Sequence, residues 1–310
     1  MINKYIITKL TTMGIRMLNK YLKEYSSNAM EEVTISELSG KKIAIDVSIF
    51  MYQFKGENTL TENMTKMIKH FTNNNITPIY VFDGRPPDEK IEVLNHRDNT
   101  KKMSKAKCDN IQNIITTNNN LSDNERSLLI DKLKNEKKNC LHITNANIRD
   151  VKKIMNRMGI PYLEAKGEAD ELCVYLVKKN FAWACITQDM DMFVYGCPRV
   201  LRNYSLKKDT MVLYTMTNIL DNLHMTQADF TEVCSFCTDY NKTRFTIFAA
   251  MGLFYKYLRR KKGIITFYDW LIYTKVISIN DKQKLLNVKK MFLIDINEQI
   301  KSSNLITKMI

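Results

Sequence analysis

Four aspartates in this chain fall where a fold most often does its chemistry. Asp46 closes the apolar run at residues 42–47 (KIAIDV), and Asp83 follows the run at 78–82 (PIYVF). Asp189 and Asp191 follow the run at 182–186 (AWACI), after Thr187-Gln188. Each run is short, rich in β-branched or aromatic residues and free of strict alternation, the pattern of a parallel strand covered on both faces. In open α/β sheets ligands bind beyond the carboxyl ends of the strands. Three neighbouring strands would therefore aim these carboxylates into one crevice. One Asp after a strand is most often a turn residue or a helix N-cap. A group of them is costlier: two carboxylates about 4 Å apart repel by ~4 kcal/mol at an effective dielectric of 20. Such a cluster needs protons or cations to neutralise it.

Further acids fit the same crevice. Glu168 and Asp170 stand in Gly167-Glu168-Ala169-Asp170, at the start of a helix just before the third run. The helix dipole alone would favour acids there; the alternative is that both reach the crevice, with Glu171 as a competitor to Asp170. Asp239, in Cys237-Thr238-Asp239-Tyr240, sits near the end of another apolar-periodic helix. An all-oxygen donor set suits Mg²⁺ or Mn²⁺ rather than zinc. Two such ions ~3.5–4 Å apart activate a water and stabilise the leaving oxygen in phosphodiester hydrolysis. The four histidines (His70, His96, His142, His224) are dispersed, and Cys234 and Cys237 form a lone CxxC without a second pair. Buried helix thiols are expected there rather than a zinc site.

The elements that position these residues follow from periodicity. Helical patterns at 15–25, 60–73, 147–158 and 169–179 lie between the apolar runs. Strands alternating with helices predict an α/β fold: a mainly parallel central sheet with helices on both faces. Residues from about 98 to 140 differ, being rich in Lys and Asn and poor in large apolar side chains. Asn118-Asn119-Asn120 reads as a turn, and Ser122 with Glu125 has capping-box spacing for a helix to about Lys138. The stretch reads as a charged helical hairpin, or as a partly disordered insertion. From about Thr226 onward the chain is mostly helical, with Arg259, Arg260, Lys261 and Lys262 as a basic run.

Composition sets the partner class. Lys and Arg total 47 against 33 acids among 310 residues, a net charge of +14. A basic globular protein that concentrates acids in one cleft fits a polyanionic substrate handled by cations. Seven scattered cysteines with no secretory signal predict a reducing, intracellular setting. Residues 1–12 are too short and too broken by Lys for a signal peptide. The longest apolar stretch, near 245–254, falls well short of the ~20 residues a membrane span needs.

Taken in order, the motifs resemble the flap endonuclease/XPG family of structure-specific 5′ nucleases, over residues 13 to 240. They are Met13-Gly14-Ile15-Arg16, Ile45-Asp46-Val47-Ser48 with Tyr52-Gln53-Phe54, and Val81-Phe82-Asp83-Gly84-Arg85-Pro86-Pro87. Gly159-Ile160-Pro161-Tyr162 with Ala165-Lys166-Gly167-Glu168-Ala169-Asp170, Thr187-Gln188-Asp189-Met190-Asp191 and Thr238-Asp239-Tyr240 complete the set. The resemblance implies a PIN-like/5′ nuclease fold with a helical cap and a helical C-terminal region. It divides the chain into an extension (1–12), a nuclease domain in two parts (13–97 and 146–240), a helical cap or gateway (98–145) and a divergent DNA-binding region (241–310). It implies seven metal-binding carboxylates, Asp46, Asp83, Glu168, Asp170, Asp189, Asp191 and Asp239, holding two Mg²⁺ ions, with Mn²⁺ as a substitute. The family's usual second helix acid is Glu, so Asp170 is one methylene shorter.

The resemblance further implies that Lys90 and Arg97, on a helix, contact the scissile phosphate. By the same resemblance Tyr52 is expected to stack on the terminal base, its alternative being a core aromatic. Lys101, Lys102, Lys105 and Lys107 in the cap are expected to track phosphates. The family's glycine-rich turn with its potassium ion is missing from Asn241-Lys242-Thr243-Arg244-Phe245-Thr246. Duplex binding is expected to differ, with Arg259, Arg260, Lys261 and Lys262 as candidates. Gly14 is expected near the site, with translation starting at Met13 or the extension displaced.

The activity implied is a 5′ flap endonuclease cutting near single-strand/duplex junctions in replication, repair or recombination. A 5′→3′ exonuclease of the same superfamily and a non-catalytic branched-DNA scaffold are the alternatives. The expected partner is branched or flapped DNA, with no membrane, no sliding-clamp motif and a monomeric state. The Asn-, Lys- and Ile-rich composition suits a large DNA virus, which leaves nucleus and cytoplasmic viral factory both open.

Overall fold

The computed structural model describes residues 15, 17–85, 91–118, 121–238, 245–260 and 265–294, and for residues 91–98 and 138 the backbone only. Lys90, Asp239, Gly14, Lys261, Lys262, the extension at 1–12 and the segment 241–244 lie outside them.

Seven strands form one sheet in the order β1-β7-β6-β5-β2-β3-β4. They are β1 (Met30–Thr34), β2 (Lys42–Asp46), β3 (Thr77–Phe82), β4 (Tyr162–Glu164), β5 (Ala184–Ile186), β6 (Arg199–Ser205) and β7 (Thr210–Thr215). Strands β6-β5-β2-β3-β4 run parallel, and β7 and β1 add antiparallel at one edge. The three strands expected to lie side by side do so, with β2 between β5 and β3.

Both faces are covered, which is why these strands read as unbroken apolar runs. Ala44, Ile79, Val81, Cys185 and Val200 feed one core, and Ile43, Ile45, Tyr80, Phe82, Ala184, Ile186 and Leu201 feed the other. Thirteen α-helices are described. The first core is covered by α1 (Leu18–Tyr25), α7 (Ala169–Lys178), α9 (Met216–Leu223), α10 (Gln227–Phe236), α11 (Ile247–Arg260), α12 (Phe267–Tyr273) and α13 (Ile279–Met291), together with the short α8 (Asp191–Val194). The second is covered by α2 (Val47–Gly56), α3 (Leu60–Asn73) and α6 (Asn145–Arg157). In α3 the buried residues Met64, Met67, Ile68 and Phe71 keep the i, i+3, i+4, i+7 spacing of one helical stripe.

The charged stretch is a helical hairpin of α4 (Ile91–Thr117) and α5 (Asp123–Asn139). Ser122 and Glu125 form the expected capping box. The hairpin's first arm is described from Ile91, so Arg97 and the cap lysines share one 27-residue helix. No Gly or Pro interrupts 91–117 to stop it. Two starts move. The helix expected from residue 15 begins at Leu18, because Met17 is left-handed (φ 65°). The third strand begins at Ala184, after a left-handed Asn180 (φ 61°) turns the chain.

Beyond β3 the chain stays zipped to the segment after β4. Gly84 N donates to Gly167 O (2.7 Å) and Arg85 N to Lys166 O (3.0 Å). A Cβ on Gly84 would lie 2.0 Å from Ala165 O and 2.6 Å from Lys166 O, both backbone atoms. Gly84→Ala is therefore expected to push the two segments apart and lower unfolding free energy by about 1–3 kcal/mol, the usual range for overpacking. An unchanged midpoint in chemical denaturation would contradict this close approach.

Candidate metal centre

The register of β5-β2-β3 decides where the acids point. Asp46 pairs with Val81, and Ile45 pairs with Ile186. Side chains alternate along a strand, so Ala44 and Asp46 share a face. Continued past the strand ends, Ile79-Val81-Asp83 and Cys185-Thr187-Asp189 share that same face. It is the face on which α7 lies against β2, β3 and β5. Three aspartates thus converge beside the amino terminus of one helix.

Hydrogen bonds tie them together. Asp46 is the N-cap of α2, its Oδ1 accepting from Ser48 N (3.2 Å), while its Oδ2 accepts from Thr187 Oγ1 (3.2 Å). Ser48 Oγ donates to Asp83 Oδ2 (2.5 Å), so one serine bridges the two aspartates. Asp83 Oδ1 accepts from Ala169 N at the start of α7 (2.8 Å). Glu168, the N-cap residue of α7, makes no capping bond with its own side chain; Asp83 caps the helix from across the sheet. Asp189 N donates to Thr187 Oγ1 (3.1 Å), and Asp189 Oδ1 accepts from Asp191 N (2.9 Å). The loop that carries Asp189 and Asp191 is held from below by Arg202 of β6, which is buried. Its guanidinium donates to Gln188 O (2.8 Å) and to Asn19 Oδ1 (2.9 Å) and lies over the Tyr214 ring.

The electrostatics follow. Burial pushes the Asp46 carboxyl well above the usual carboxylate range, and the charges of Asp83 and Asp189 push it further. The Tyr195 phenol is raised first by burial and then by Asp170, Glu171, Glu168 and Asp191. Among the described residues the acids thus form two neighbouring groups, one around Asp46 and one around Tyr195, whose hydroxyl donates to Glu171 Oε1 (3.4 Å). The start of α7 lies between them, and its dipole offsets part of their charge. No three acidic, His or Cys side chains among the described residues close around a single ion position. The donors are hard carboxylate oxygens at a crowded anionic site, which fits Mg²⁺ or Mn²⁺ held by a few carboxylates each.

The other expected site residues spread outward. Tyr52 is half-buried on α2, with Lys101 Nζ 5.9 Å from its ring centroid. Lys102, Lys105 and Lys107 are exposed on α4, and Arg259 and Arg260 are exposed at the end of α11. Ile15 pairs with Thr238 in an isolated antiparallel bridge. Cys234 and Cys237 are buried thiols, as expected. Sequence reasoning missed Ser48, Thr187 and Arg202. Ser48, directly after Asp46-Val47, carried a signal in its place in the first helical turn; the buried Arg202 carried none. No helix among the described residues is long and apolar enough to cross a membrane.

Residues 13–104 match the XPG N-terminal domain, and residues 159–239 match the XPG I-region. Flap endonuclease 1-A of Sorghum bicolor is 31% identical over 244 residues, covering 73% of this chain and 61% of the relative. Flap endonuclease 1 of Entamoeba histolytica is 31% identical over 241 residues, covering 72% and 61%. The chain thus spans about three fifths of the length of these curated relatives. The same fold occurs in the catalytic core of Rad2 in complex with DNA substrate (TM-score 0.63, 19% identity, 91% of this chain and 87% of that one). It also occurs in flap endonuclease-1 from Methanococcus jannaschii (TM-score 0.58, 24% identity, 86% and 82%).

The raised Asp46 pKa has a signed consequence. As pH rises from the ordinary carboxylate range towards the raised value, the unfolded chain loses a proton that the folded chain keeps, so folding loses stability. Asp46→Asn removes that loss while keeping an acceptor for Ser48 N. In EDTA the variant is expected to melt higher than the parent at pH 8, with the gain shrinking towards pH 4. Added Mg²⁺ is expected to stabilise the parent more than the variant. Parallel melting curves across pH would contradict the assignment.

Proposed function

Because the chain belongs to the flap endonuclease/XPG family, we propose that it is a divalent-metal-dependent, structure-specific 5′ nuclease. It hydrolyses DNA phosphodiesters near single-strand/duplex junctions. The observation that carries this reading is the convergence of Asp46, Asp83 and Asp189 on one face at the carboxyl ends of three adjacent parallel strands, in a chain of net charge +14. A crevice lined by these carboxylates repels a phosphodiester unless cations stand between them. Metal dependence is general in the family; the finer assignment is two Mg²⁺ ions, replaceable by Mn²⁺. Asp46, Asp83 and Asp189, with Glu168, Asp170, Asp191 and Asp239, would hold them. Each ion would take few carboxylates, leaving positions for water and substrate phosphate. Such cations lower the pKa of a water and neutralise charge on the leaving 3′ oxygen.

The protein's own groups do the rest. Ser48 and Thr187 fix the carboxylates of Asp46 and Asp83 by donating to them, so the anionic oxygens are preorganised. Arg202 holds the loop backbone at Gln188 and sets where Asp189 projects. Lys90 and Arg97 would neutralise the phosphate in the transition state. Tyr52 would stack on the terminal base, and Lys101, Lys102, Lys105 and Lys107 would track a single strand along the hairpin. Arg259, Arg260, Lys261 and Lys262 would grip duplex phosphates. In this reading residues 13–97 and 146–240 make the nuclease domain, 98–145 the cap and 241–310 the duplex-binding region. The substrate is flapped or branched DNA of a replication, repair or recombination pathway, in a nucleus or a cytoplasmic viral factory.

With Mg²⁺ the protein is expected to cut a 5′-labelled flap near the junction. Asp189→Ala is expected to lower kcat by on the order of 10²-fold or more, as for loss of one preorganised electrostatic contact. Product lengths from a blunt duplex separate this activity from a 5′→3′ exonuclease. An unchanged rate in Asp189→Ala would sink the metal assignment, and junction binding without cleavage in any metal would indicate a scaffold.

A further inference from the structure

Away from the acidic crevice, two thiols meet across the helical hairpin. Cys108 lies on α4, and Cys140 follows directly at the carboxyl end of α5, 32 residues further along the chain. Their Sγ atoms are 3.9 Å apart. We propose that this pair is a redox-modification site, a reversible disulfide that ties the two arms of the hairpin together.

Accessibility separates Cys140 from the other cysteines, and its 3.9 Å approach to Cys108 gives it a partner. Cys173, Cys185, Cys197, Cys234 and Cys237 are all buried in the main core, at most 1% exposed. Cys140 is the half-buried one of the seven. A thiol takes part in disulfide exchange only where an oxidant reaches it and its thiolate can form. Cys140 meets the first condition. Cys108 meets neither: it is buried, and burial, with Cys140, Glu136 and Asp109 adding to it, pushes its thiol up to about 11. Cys140 is therefore the attacking sulfur and Cys108 the resolving one. Closing the bond needs the sulfurs to approach by roughly 2 Å, to the ordinary S–S length of about 2.05 Å, which side-chain rotation supplies.

The oxidant is a small-molecule disulfide of the glutathione type. The Cys140 thiolate attacks one of its sulfurs, forming a mixed disulfide and releasing one small thiolate. Cys108 loses its proton to that thiolate and attacks Cys140 Sγ, expelling the second. Two protein thiols are oxidised, and one small disulfide is reduced to two thiols.

The hairpin is where such a bond has most leverage. Its arms bury little: Met103, Ile114, Leu128 and Ile130 stay exposed, and Ser104 and Cys108 are the buried residues of α4 among those with described side chains. Few buried apolar contacts make a segment the first to open. A covalent link across it suppresses that opening while leaving the well-packed sheet unaffected. The proposal stands apart from the nuclease reading, since it rests on the hairpin alone.

The test treats the full, reduced protein with oxidised glutathione under native conditions, followed by peptide mapping without reductant. The expected product is a Cys108–Cys140 cross-linked peptide, reversed by dithiothreitol. Cys108→Ser is expected to accumulate a stable glutathione adduct on Cys140, and Cys140→Ser to give neither adduct nor cross-link. Amide exchange over residues 109–139 is expected to slow several-fold in the oxidised parent. Urea-unfolded protein, in which every cysteine reacts, shows that the oxidant is active. An adduct on Cys140 of the parent that never resolves, a cross-link between other cysteines, or no modification of the folded protein would each overturn the proposal.

Discussion

Mutual repulsion among carboxylates is the constraint around which this structure is arranged. Asp46 is buried, and its charge is opposed by burial and by Asp83 and Asp189. Left alone, such a site favours protonation or local opening. The fold holds it together with short local devices: Ser48 bridges Asp46 to Asp83, Thr187 joins Asp46 to the Asp189 backbone, and Ala169 N pins Asp83 at a helix start. Each favours the ionised carboxylate, yet burial and like charge still win at Asp46. The protein carries a locally unfavourable charge arrangement that a divalent cation would relieve. That is the usual relation between a reactive site and the stability of its host.

The rest of the molecule supplies the rigidity this requires. Two cores, one on each face of the sheet, fix the register of β5-β2-β3, and that register sends the aspartates to one side. Slipping one strand by a residue would turn its acid to the opposite face. Close backbone approach at Gly84 keeps the segment bearing Glu168 against Asp83. Arg202 does similar work for Asp189 from within the sheet; burial lowers its pKa, and the neighbouring Tyr214 and Asp189 oppose that shift. The hairpin, by contrast, is long, charged and thinly packed.

Much of this was legible in the residues. Strands β2 and β3 and helices α3 and α7 appear within a residue or two of their expected bounds, because two-sided burial and helical periodicity leave strong patterns. The Ser122 and Glu125 capping box was legible for the same local reason. Strands β1, β4, β6 and β7 were not. β4 has three residues, and β1 and β6 mix charged with apolar side chains as sheet-edge and hairpin strands do. The acids themselves could be found from their place after strands. How they are held could not, because Asp83 capping a helix 86 residues away and Arg202 reaching Gln188 are tertiary facts. The reading of Asp46 as a helix N-cap and the reading as a site residue are both compatible with the structure, since its two oxygens face different donors.

The central claim, that the crowded acids form a cation site whose anionic form is suppressed until a cation arrives, is tested most directly by calorimetric titration of Mn²⁺. The titration is run near neutral pH in two buffers of different ionisation enthalpy. The account predicts saturable binding with heats that differ between the buffers, because protons leave the site as the cation enters. Saturable binding with identical heats, or no binding, would contradict it.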